Sequence, residues 1–190
     1  MNKVKILKKC INFTDAQNII NHINNNIDSF DTGPRKLKFT KMFGNDHSLK
    51  EKSAKFINGI DDIKDQIKKI IDISIEFIKD EFQQTEELYL ASLWIAKQIS
   101  GAKVAPHLDT DDGANEHYEY SAILYLNTPI NSDPLEFPNL NLKIMPNLGD
   151  LVVFKTKDIE SVHQVRNIVE DRYSIPMWFT LDKNYDLKFI

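Results

Sequence analysis

Two histidines and one aspartate in the second half of the chain have the types and the order of metal ligands. His107-Leu-Asp109 places an imidazole and a carboxylate two residues apart, and His163 follows later in the chain. If residues 107–109 are extended, alternate side chains share a face, so both groups point into one cavity. The residue types and their order therefore predict a metal site that is completed by His163.

Two histidines and one carboxylate on one face of an octahedral ion leave three positions open, which is the facial triad of non-haem iron(II) oxygenases. Arg172 follows His163 and precedes a predicted strand, so its side chain can reach the same cavity. A buried guanidinium needs an anionic partner, and a dicarboxylate held by two hydrogen bonds would supply one. A hydroxyl from Tyr125 or Ser174 could add a further hydrogen bond.

Each of these residues also has an ordinary interpretation. A single His-x-Asp is more often structural than metal-binding, the same holds for a lone histidine, and Arg172 could simply pair with Glu170 or Asp171. The combination, in this order and inside a strand-rich half, is far more specific. The other histidines lack such a context and are interpreted as ordinary: His22, His47 and His117.

The elements that must position these residues change in type near residue 85. Before it, apolar residues recur with helical spacing over 14–29, where Thr14 is the predicted N-cap, and over 60–82, with a short strand predicted at 37–43. After it, short apolar or alternating runs predict strands: 89–99, 121–126, 140–145, 150–154 and 173–181. The expected fold is α+β, a β-sandwich or jelly roll with N-terminal helices covering one sheet.

The length and composition predict one soluble domain. The 190 residues suffice for a single core, with 1–85 as mainly helical support and 86–190 as the β core that carries the metal site. A net charge of −4 gives no electrostatic footprint for nucleic acid or an anionic membrane. The single cysteine, Cys10, favours a reducing compartment, and residues 1–13 lack the continuous apolar run of a signal peptide. The expected location is the cytoplasm.

Residues 88–181 resemble 2-oxoglutarate-dependent oxygenases of the prolyl-hydroxylase type. The last stretch is especially similar to the oxygen-sensing prolyl hydroxylases that act on hypoxia-inducible factor, and to their bacterial relatives. The motifs that carry the resemblance are Gly101-x-x-Val104-x-x-His107-Leu-Asp109, Ser121-Ala-Ile-Leu-Tyr-Leu-Asn127, Glu136-Phe-Pro138, Pro146-Asn-Leu-Gly-Asp-Leu-Val-Val-Phe154, His163-Gln-Val165 and Arg172-Tyr-Ser-Ile-Pro-Met-Trp-Phe179. Collagen-type prolyl hydroxylases usually carry a lysine at the position of Arg172.

The resemblance implies a double-stranded β-helix, that is, a jelly roll whose open end holds iron(II). It also implies 2-oxoglutarate as cosubstrate, dioxygen as the second substrate and ascorbate as an optional cofactor. By motif position the iron ligands are His107, Asp109 and His163. Arg172 would bind the distal carboxylate of 2-oxoglutarate, with Tyr125 donating its hydroxyl to the same group, while Ser174 and Gln98 are further cosubstrate contacts. Trp178 is assigned to the core rather than to catalysis.

Three positions depart from the family pattern. Gln98 replaces a common tyrosine, Asp133-Pro-Leu-Glu136 replaces the usual Gly-Gly-Glu-Thr, and Glu170 stands where a glycine often precedes the arginine. These changes leave the metal motif intact and weaken inferences about the substrate.

The leading functional hypothesis is hydroxylation of a C–H bond of a prolyl residue in a peptide or protein. A free amino acid or another small molecule is the alternative substrate, and a non-catalytic cupin-like metal-binding module is the alternative from another class. A nucleic-acid demethylase is disfavoured because no second arginine follows Arg172, and a hydrolase because no proton shuttle accompanies the triad. The loops 31–48 and 110–119 are candidate substrate-contacting segments. The acidic loop is more simply interpreted as solvated, and if it faced the substrate it would prefer a basic peptide.

Overall fold

Two amphipathic α-helices are present in the N-terminal part of the computed structural model, which describes residues 3–29, 31–32, 38–44, 60–110 and 115–188. Helix α1 spans Phe13–Asn25 and helix α2 spans Lys64–Phe82. The side chain of Asn12 accepts a hydrogen bond from the Asp15 backbone N–H at 2.8 Å. The prediction that Thr14 is the N-cap is therefore wrong. Asn12 accepts from a free N–H group of the first turn, so the helix begins before Thr14.

Eleven strands are found in the described part of the chain, and all their pairings are antiparallel. Their bounds are β1 Val4–Leu7, β2 Asp31–Thr32, β3 Lys38–Gly44, β4 Tyr89–Gln98, β5 Val104–His107, β6 Tyr120–Tyr125, β7 Leu135–Phe137, β8 Leu142–Ile144, β9 Leu151–Lys155, β10 His163–Val165 and β11 Arg172–Thr180. All six strands predicted from the sequence are present, with shifts of a few residues at their ends. Strand β1 was not predicted, because four residues between lysines give too short a pattern.

The strands form two sheets of unequal size. The major sheet has the order β1-β9-β6-β11-β4-β3-β2, and the minor sheet has the order β5-β10-β7-β8. Antiparallel sheets together with helices fit the predicted α+β class and an architecture of the jelly-roll type. The first 85 residues therefore supply three strands of the major sheet as well as the helices.

Strand β11 shows how the major sheet separates the core from the site. Along it, Tyr173, Ile175, Met177 and Phe179 belong to the core cluster that also contains the buried faces of both helices. The alternate residues Arg172, Ser174, Pro176 and Trp178 line a pocket on the other face. This alternation follows from the two-residue period of a strand. The helices thus stabilise the sheet from behind and leave its front face available for chemistry.

A second core cluster fills the space between the two sheets. Its buried members come from both sheets and include Ile123 and Phe154 of the major sheet and Phe137 and Val165 of the minor sheet. The ring centroids of Phe137 and Phe154 lie 5.1 Å apart in an edge-on arrangement, which is a favourable geometry for aromatic pairs. This packing fixes the distance between the sheets next to the pocket.

Part of the predicted substrate-contacting segments lies outside the described residues. Of the loop 31–48, the structure describes the backbone of strands β2 and β3, and of the acidic loop it omits 111–114. The basic residues Arg35 and Lys36 and the histidine His47 also lie outside the described part. In the segments that are described, no helix is both long and apolar enough to cross a bilayer.

Candidate metal centre and cosubstrate pocket

His107, Asp109 and His163 come together at the end of the minor sheet. One ligand atom from each residue lies within 4.8 Å of the other two. The pairing of strands β5 and β10 accounts for this, because His107 and His163 are directly opposite each other in the ladder. The Asp109 Oδ1 atom lies 3.3 Å from His107 Nε2 and 3.9 Å from His163 Nε2. The cross-strand pair therefore brings the two imidazoles together, and the carboxylate faces both.

Backbone carbonyl groups orient both imidazole rings. His107 Nδ1 donates to the Ala105 carbonyl at 2.9 Å, and His163 Nδ1 donates to the Ser161 carbonyl at 3.0 Å. Since a carbonyl only accepts, the proton of each neutral ring is on Nδ1 and the lone pair is on Nε2. The two lone pairs point toward Asp109, which is the arrangement that a metal ion requires of histidine ligands.

Asp109 reaches the site by a different route from the one that the sequence predicts. Strand β5 ends at His107, and Asp109 lies in the following turn, so strand alternation does not aim its side chain. Instead, the Ser121 hydroxyl on β6 donates to Asp109 Oδ2 at 2.5 Å. Ser121 was not among the predicted site residues. Its only signal in the sequence is a hydroxyl within an otherwise apolar strand.

The protonation states of the three residues suit metal binding. Burial of Asp109 favours its neutral form and is the largest single effect, but the adjacent His107, the nearby His163 and the hydrogen bond from Ser121 outweigh it and lower the pKa of Asp109 to about 2. Burial lowers the pKa of His163 and outweighs the attraction of Asp109, which would raise it. An ionised carboxylate beside a neutral imidazole is the donor set that a divalent cation needs.

Arg172 and Tyr125 form the cationic end of the same pocket. Arg172 is 5% exposed, and its Nη2 atom donates to the Tyr125 hydroxyl at 2.9 Å. Burial raises the pKa of Tyr125, against the opposing effect of Arg172, so the phenol stays protonated. The buried Arg172 Nε atom has no hydrogen-bond partner among the described residues. The simpler pairings with Glu170 and Asp171 are not formed, since Asp171 contacts Lys97 and Glu170 contacts Asn131.

Gln98 and Ser174 lie beside Arg172, as their strand positions require. Gln98 is the direct cross-strand partner of Arg172, and Ser174 is opposite Tyr125. Both residues are buried and line the pocket between the two sheets. The side chains around the Arg172 guanidinium are thus polar on each of these strands. Burial of a guanidinium is costly, and a pocket wall made only for packing would not contain one.

Aromatic residues form the opposite end of the pocket. Trp94 and Trp178 both line it, with their ring centroids 4.8 Å apart in an edge-on arrangement. The Tyr118 ring stacks on the Trp178 ring. Trp178 therefore combines core packing with a place in the pocket wall, and its buried indole N–H has no partner among the described residues.

Two other histidines lie apart from the triad. His22 on α1 contacts Asp62 through Nδ1 at 2.9 Å, and His117 stacks on Tyr185. In the described part of the chain, the triad is the one group of three or more His, Cys, Asp or Glu residues with metal-binding spacing.

Comparisons with known proteins agree with this geometry. Residues 93–180 match the model of the 2OG-Fe(II) oxygenase superfamily. That segment contains the whole triad and the polar pocket residues from Gln98 to Arg172. The chain is an iron(II)- and 2-oxoglutarate-dependent dioxygenase, and its cofactors are Fe(II) and 2-oxoglutarate. A search among curated proteins finds no match.

Among solved structures, similar ones include several prolyl hydroxylases. A viral collagen prolyl hydroxylase from Paramecium bursaria Chlorella virus-1, solved with 2-oxoglutarate, has a TM-score of 0.68 at 16% identity over 96% of this chain and 97% of that chain. A Trichoplax adhaerens prolyl hydroxylase, in complex with a peptide fragment of hypoxia-inducible factor, has a TM-score of 0.70 at 18% identity over 99% and 88%. A Pseudomonas putida prolyl-4-hydroxylase has a TM-score of 0.62 at 17% identity over 95% and 93%. At these identities the likeness establishes a shared fold.

Proposed function

We propose that this dioxygenase hydroxylates a C–H bond of a prolyl residue in a peptide or protein, with His107, Asp109 and His163 as the iron ligands. The observation that supports it best is a triad whose histidine lone pairs face one carboxylate, in the same pocket as a buried arginine that lacks an anionic partner among the described residues. The overall reaction would convert substrate, dioxygen and 2-oxoglutarate into hydroxylated product, succinate and carbon dioxide. One oxygen atom enters the product and the other enters succinate.

The donor set fits iron(II). The imidazoles of His107 and His163 and the carboxylate of Asp109 would hold the ion and leave positions open for the cosubstrate and dioxygen. When bound, iron(II) supplies the oxidising chemistry at the C–H bond. The protein's contribution is to hold the ligands, to orient the cosubstrate and substrate, and to keep water away.

Arg172 would bind the distal carboxylate of 2-oxoglutarate. Its guanidinium is buried, one donor is on Tyr125, and Nε remains available among the described residues. The protonated Tyr125 hydroxyl can accept from Arg172 and donate to the same carboxylate. Gln98 and Ser174 are proposed as neutral hydrogen-bonding groups beside this pair. These four residues would hold the cosubstrate with its keto acid end toward the triad.

The substrate would approach the triad from the aromatic end. A pyrrolidine ring is apolar and compact, and the Trp94–Trp178 wall offers it an apolar surface. The unpartnered Trp178 N–H could donate to a backbone carbonyl of a peptide. The Trichoplax neighbour, solved with a peptide, supports a peptide substrate. A free amino acid or another small molecule remains the alternative, and it would need the same ring-sized space.

The detailed fold and the domain organisation are also part of this proposal. We infer that the two facing sheets form a double-stranded β-helix whose open end carries the triad, and that residues 1–190 act as one domain. The continuous core between the helices and the major sheet supports this inference.

The decisive experiment adds iron(II) and 2-oxoglutarate to the protein without oxygen and records the visible charge-transfer absorption of the chelate. We expect the absorption in the wild type, its loss in Asp109→Ala, and a shift to higher 2-oxoglutarate concentration in Arg172→Ala. A folded, metal-loaded wild type without this absorption would contradict the proposal and favour a non-catalytic cupin-like module. Proline-containing peptides, basic and neutral, and free proline would then be compared by mass spectrometry for the gain of one oxygen atom, with and without ascorbate.

A further inference from the structure

Ser121 makes a hydrogen bond to the carboxylate of Asp109, one of the three proposed metal ligands. It lies on β6 in the middle of the major sheet, is 1% exposed, and lines the pocket. Its hydroxyl lies 2.5 Å from Asp109 Oδ2. Since the ionised carboxylate can only accept, the Ser121 hydroxyl is the donor. A charge-assisted O–H···O⁻ bond of this length is among the stronger hydrogen bonds in proteins.

The two carboxylate oxygens of Asp109 therefore have different surroundings. Oδ1 faces the Nε2 atoms of both histidines, whereas Oδ2 is turned away and held by Ser121. Asp109 lies in a turn beyond the end of β5, so strand geometry leaves its side chain free to rotate. Another contact of this turn, Thr110 Oγ1 to the Thr156 carbonyl at 3.4 Å, holds the neighbouring residue and not the carboxylate.

The number of open positions on the ion depends on this orientation. An octahedral ion has six positions, and a triad that uses one Asp109 oxygen leaves three. A chelating keto acid takes two of them and dioxygen needs the third. If both Asp109 oxygens bound the ion, the second oxygen would occupy one of these three positions, and the keto acid, whose far end is held at Arg172, would have to displace it to chelate the ion. Carboxylates bind metal ions in either manner, so something must select one of them.

We propose that Ser121 is a positioning residue that keeps Asp109 a one-oxygen ligand and so preserves the coordination position that the cosubstrate requires. The inference rests on the proposed function, because it takes Asp109 as an iron ligand. A purely structural bond would merely tie the turn after β5 to the major sheet. The two roles differ in what they predict: a structural bond affects metal binding and stability, whereas a positioning bond affects cosubstrate binding to the metal-loaded protein.

The experiment compares wild type, Ser121→Ala, Ser121→Thr and Ser74→Ala. Ser74 is a matched control, because it is fully buried on α2 and its hydroxyl donates to the Ile70 carbonyl at 2.7 Å; it lies 3.9 Å from Met177 Sδ and contacts neither Asp109 nor Arg172. Calorimetry measures the affinity for Mn(II) alone, and then the affinity of the Mn(II)-loaded protein for 2-oxoglutarate. Loss of a group that orients a metal ligand typically costs about 10- to 100-fold in metal affinity or activity.

For Ser121→Ala we expect 2-oxoglutarate binding to weaken by about 10-fold or more. The Mn(II) affinity should change much less, because a second Asp109 oxygen on the ion would offset the lost orientation. Ser121→Thr restores the hydroxyl and should recover most of the cosubstrate affinity, and Ser74→Ala should match the wild type in both measurements. Weaker Mn(II) binding with unchanged cosubstrate binding would overturn the inference, as would no change in either. A wild type that binds Mn(II) but not 2-oxoglutarate would overturn the proposed function itself.

A second measurement does not depend on the variant folding. A crystal structure of the wild type with Mn(II) should show one Asp109 oxygen bonded to the ion and the other on Ser121. Two Asp109 oxygens on the ion would contradict the inference.

Discussion

At the scale of single residues, the pocket divides its charges between two ends. One end contains the Asp109 carboxylate, and the other contains the Arg172 guanidinium. Both Asp109 and Arg172 are almost fully buried, and an unpaired charge in such surroundings is costly. A cation and a dicarboxylate that bind together would neutralise both ends at once. Joint binding of a cation and a dicarboxylate would therefore account for the two opposite buried charges of Asp109 and Arg172 in one pocket.

Arg172→Met should weaken 2-oxoglutarate binding by about 10- to 100-fold. Hydrogen bonds to charged groups contribute roughly 1.5–3 kcal/mol, and each 1.4 kcal/mol is about tenfold in affinity. The affinity of the metal-loaded protein for 2-oxoglutarate is measured by calorimetry. The 2-oxoglutarate affinity of Arg172→Lys should fall between those of the wild type and Arg172→Met, because lysine keeps the charge and loses the planar pair of donors.

The control for this prediction is Arg166→Met. Arg166 lies outside the pocket lining, its side chain is 64% exposed, and it contacts Glu136. Removal of this exposed cation should leave cosubstrate affinity unchanged. An equal loss in both variants would point to a general electrostatic effect and contradict the role of Arg172.

The residue types and their order predicted which side chains would lie together, and the roles of these residues stay predictions. His107, Asp109, His163, Arg172 and Tyr125 come together as their order in the sequence suggested. The route of Asp109 could not be predicted, because a turn has no periodicity that fixes a side-chain direction. Ser121 was missed since one serine in an apolar strand has no distinctive pattern, and its role depends on a contact across the sheets.

At the scale of elements, helix α1 depends on its cap. We predict that Asn12→Ala lowers the free energy of unfolding by about 1 kcal/mol, because the Asp15 N–H loses its acceptor. Urea denaturation followed by circular dichroism measures the change. The control is Gln17→Ala on the same helix, which removes an exposed contact to Asn21 and should change stability by less than about 0.5 kcal/mol. Equal losses in both variants would contradict the cap assignment.

The minor sheet is joined by a carboxylate at its centre. Glu136 on β7 accepts hydrogen bonds from Gln164 and Arg166 and pairs with Lys143, so it links β7, β8 and β10. The contacts with Lys143 and Arg166 outweigh burial and lower the pKa of Glu136 to about 2. The sheet that carries both histidines is therefore stabilised by an ionised group.

The pH dependence of stability follows from this lowered pKa. The unfolded pKa of a glutamate is about 4.3, so the stabilisation by Glu136 is complete above that pH and is lost as the pH falls toward about 2. Glu136→Gln should be less stable than the metal-free wild type at neutral pH, and the difference should shrink as the pH falls through this window. Urea unfolding across the acid range measures it. The exposed Glu86→Gln serves as the control, and a difference that does not vary with pH would contradict the prediction.

At the scale of the whole molecule, the metal should stabilise the fold because its ligands come from separate elements. A ligand at about 100 times its dissociation constant stabilises the native state by about 2.7 kcal/mol. For a chain of this length we expect Mn(II) to raise the melting temperature by roughly 5–10 °C. Differential scanning fluorimetry measures the shift. Asp109→Ala should show little of it, and an equal shift in that variant would place the stabilising metal elsewhere.

The class of the fold could be predicted from the sequence, whereas the pairing of its strands could not. Helical periodicity predicted α1 and α2, and apolar runs predicted the main strands, because local patterns determine local structure. The order of strands in the major sheet depends on contacts between distant segments, which no local pattern encodes. The N-terminal strand β1 is the clearest case, since its partner β9 lies near the other end of the chain.

That pairing affects how the protein is made. Val4 of β1 is the partner of Phe154 of β9, and Leu93 of β4 is the partner of Met177 of β11. Synthesis on the ribosome therefore produces β1, α1 and α2 long before the strands that cover them. Contacts between such distant residues slow folding, and the apolar helix faces stay exposed during that interval. The nascent chain should consequently depend on chaperones at the exit tunnel, and should gain protease resistance only after β11 has emerged.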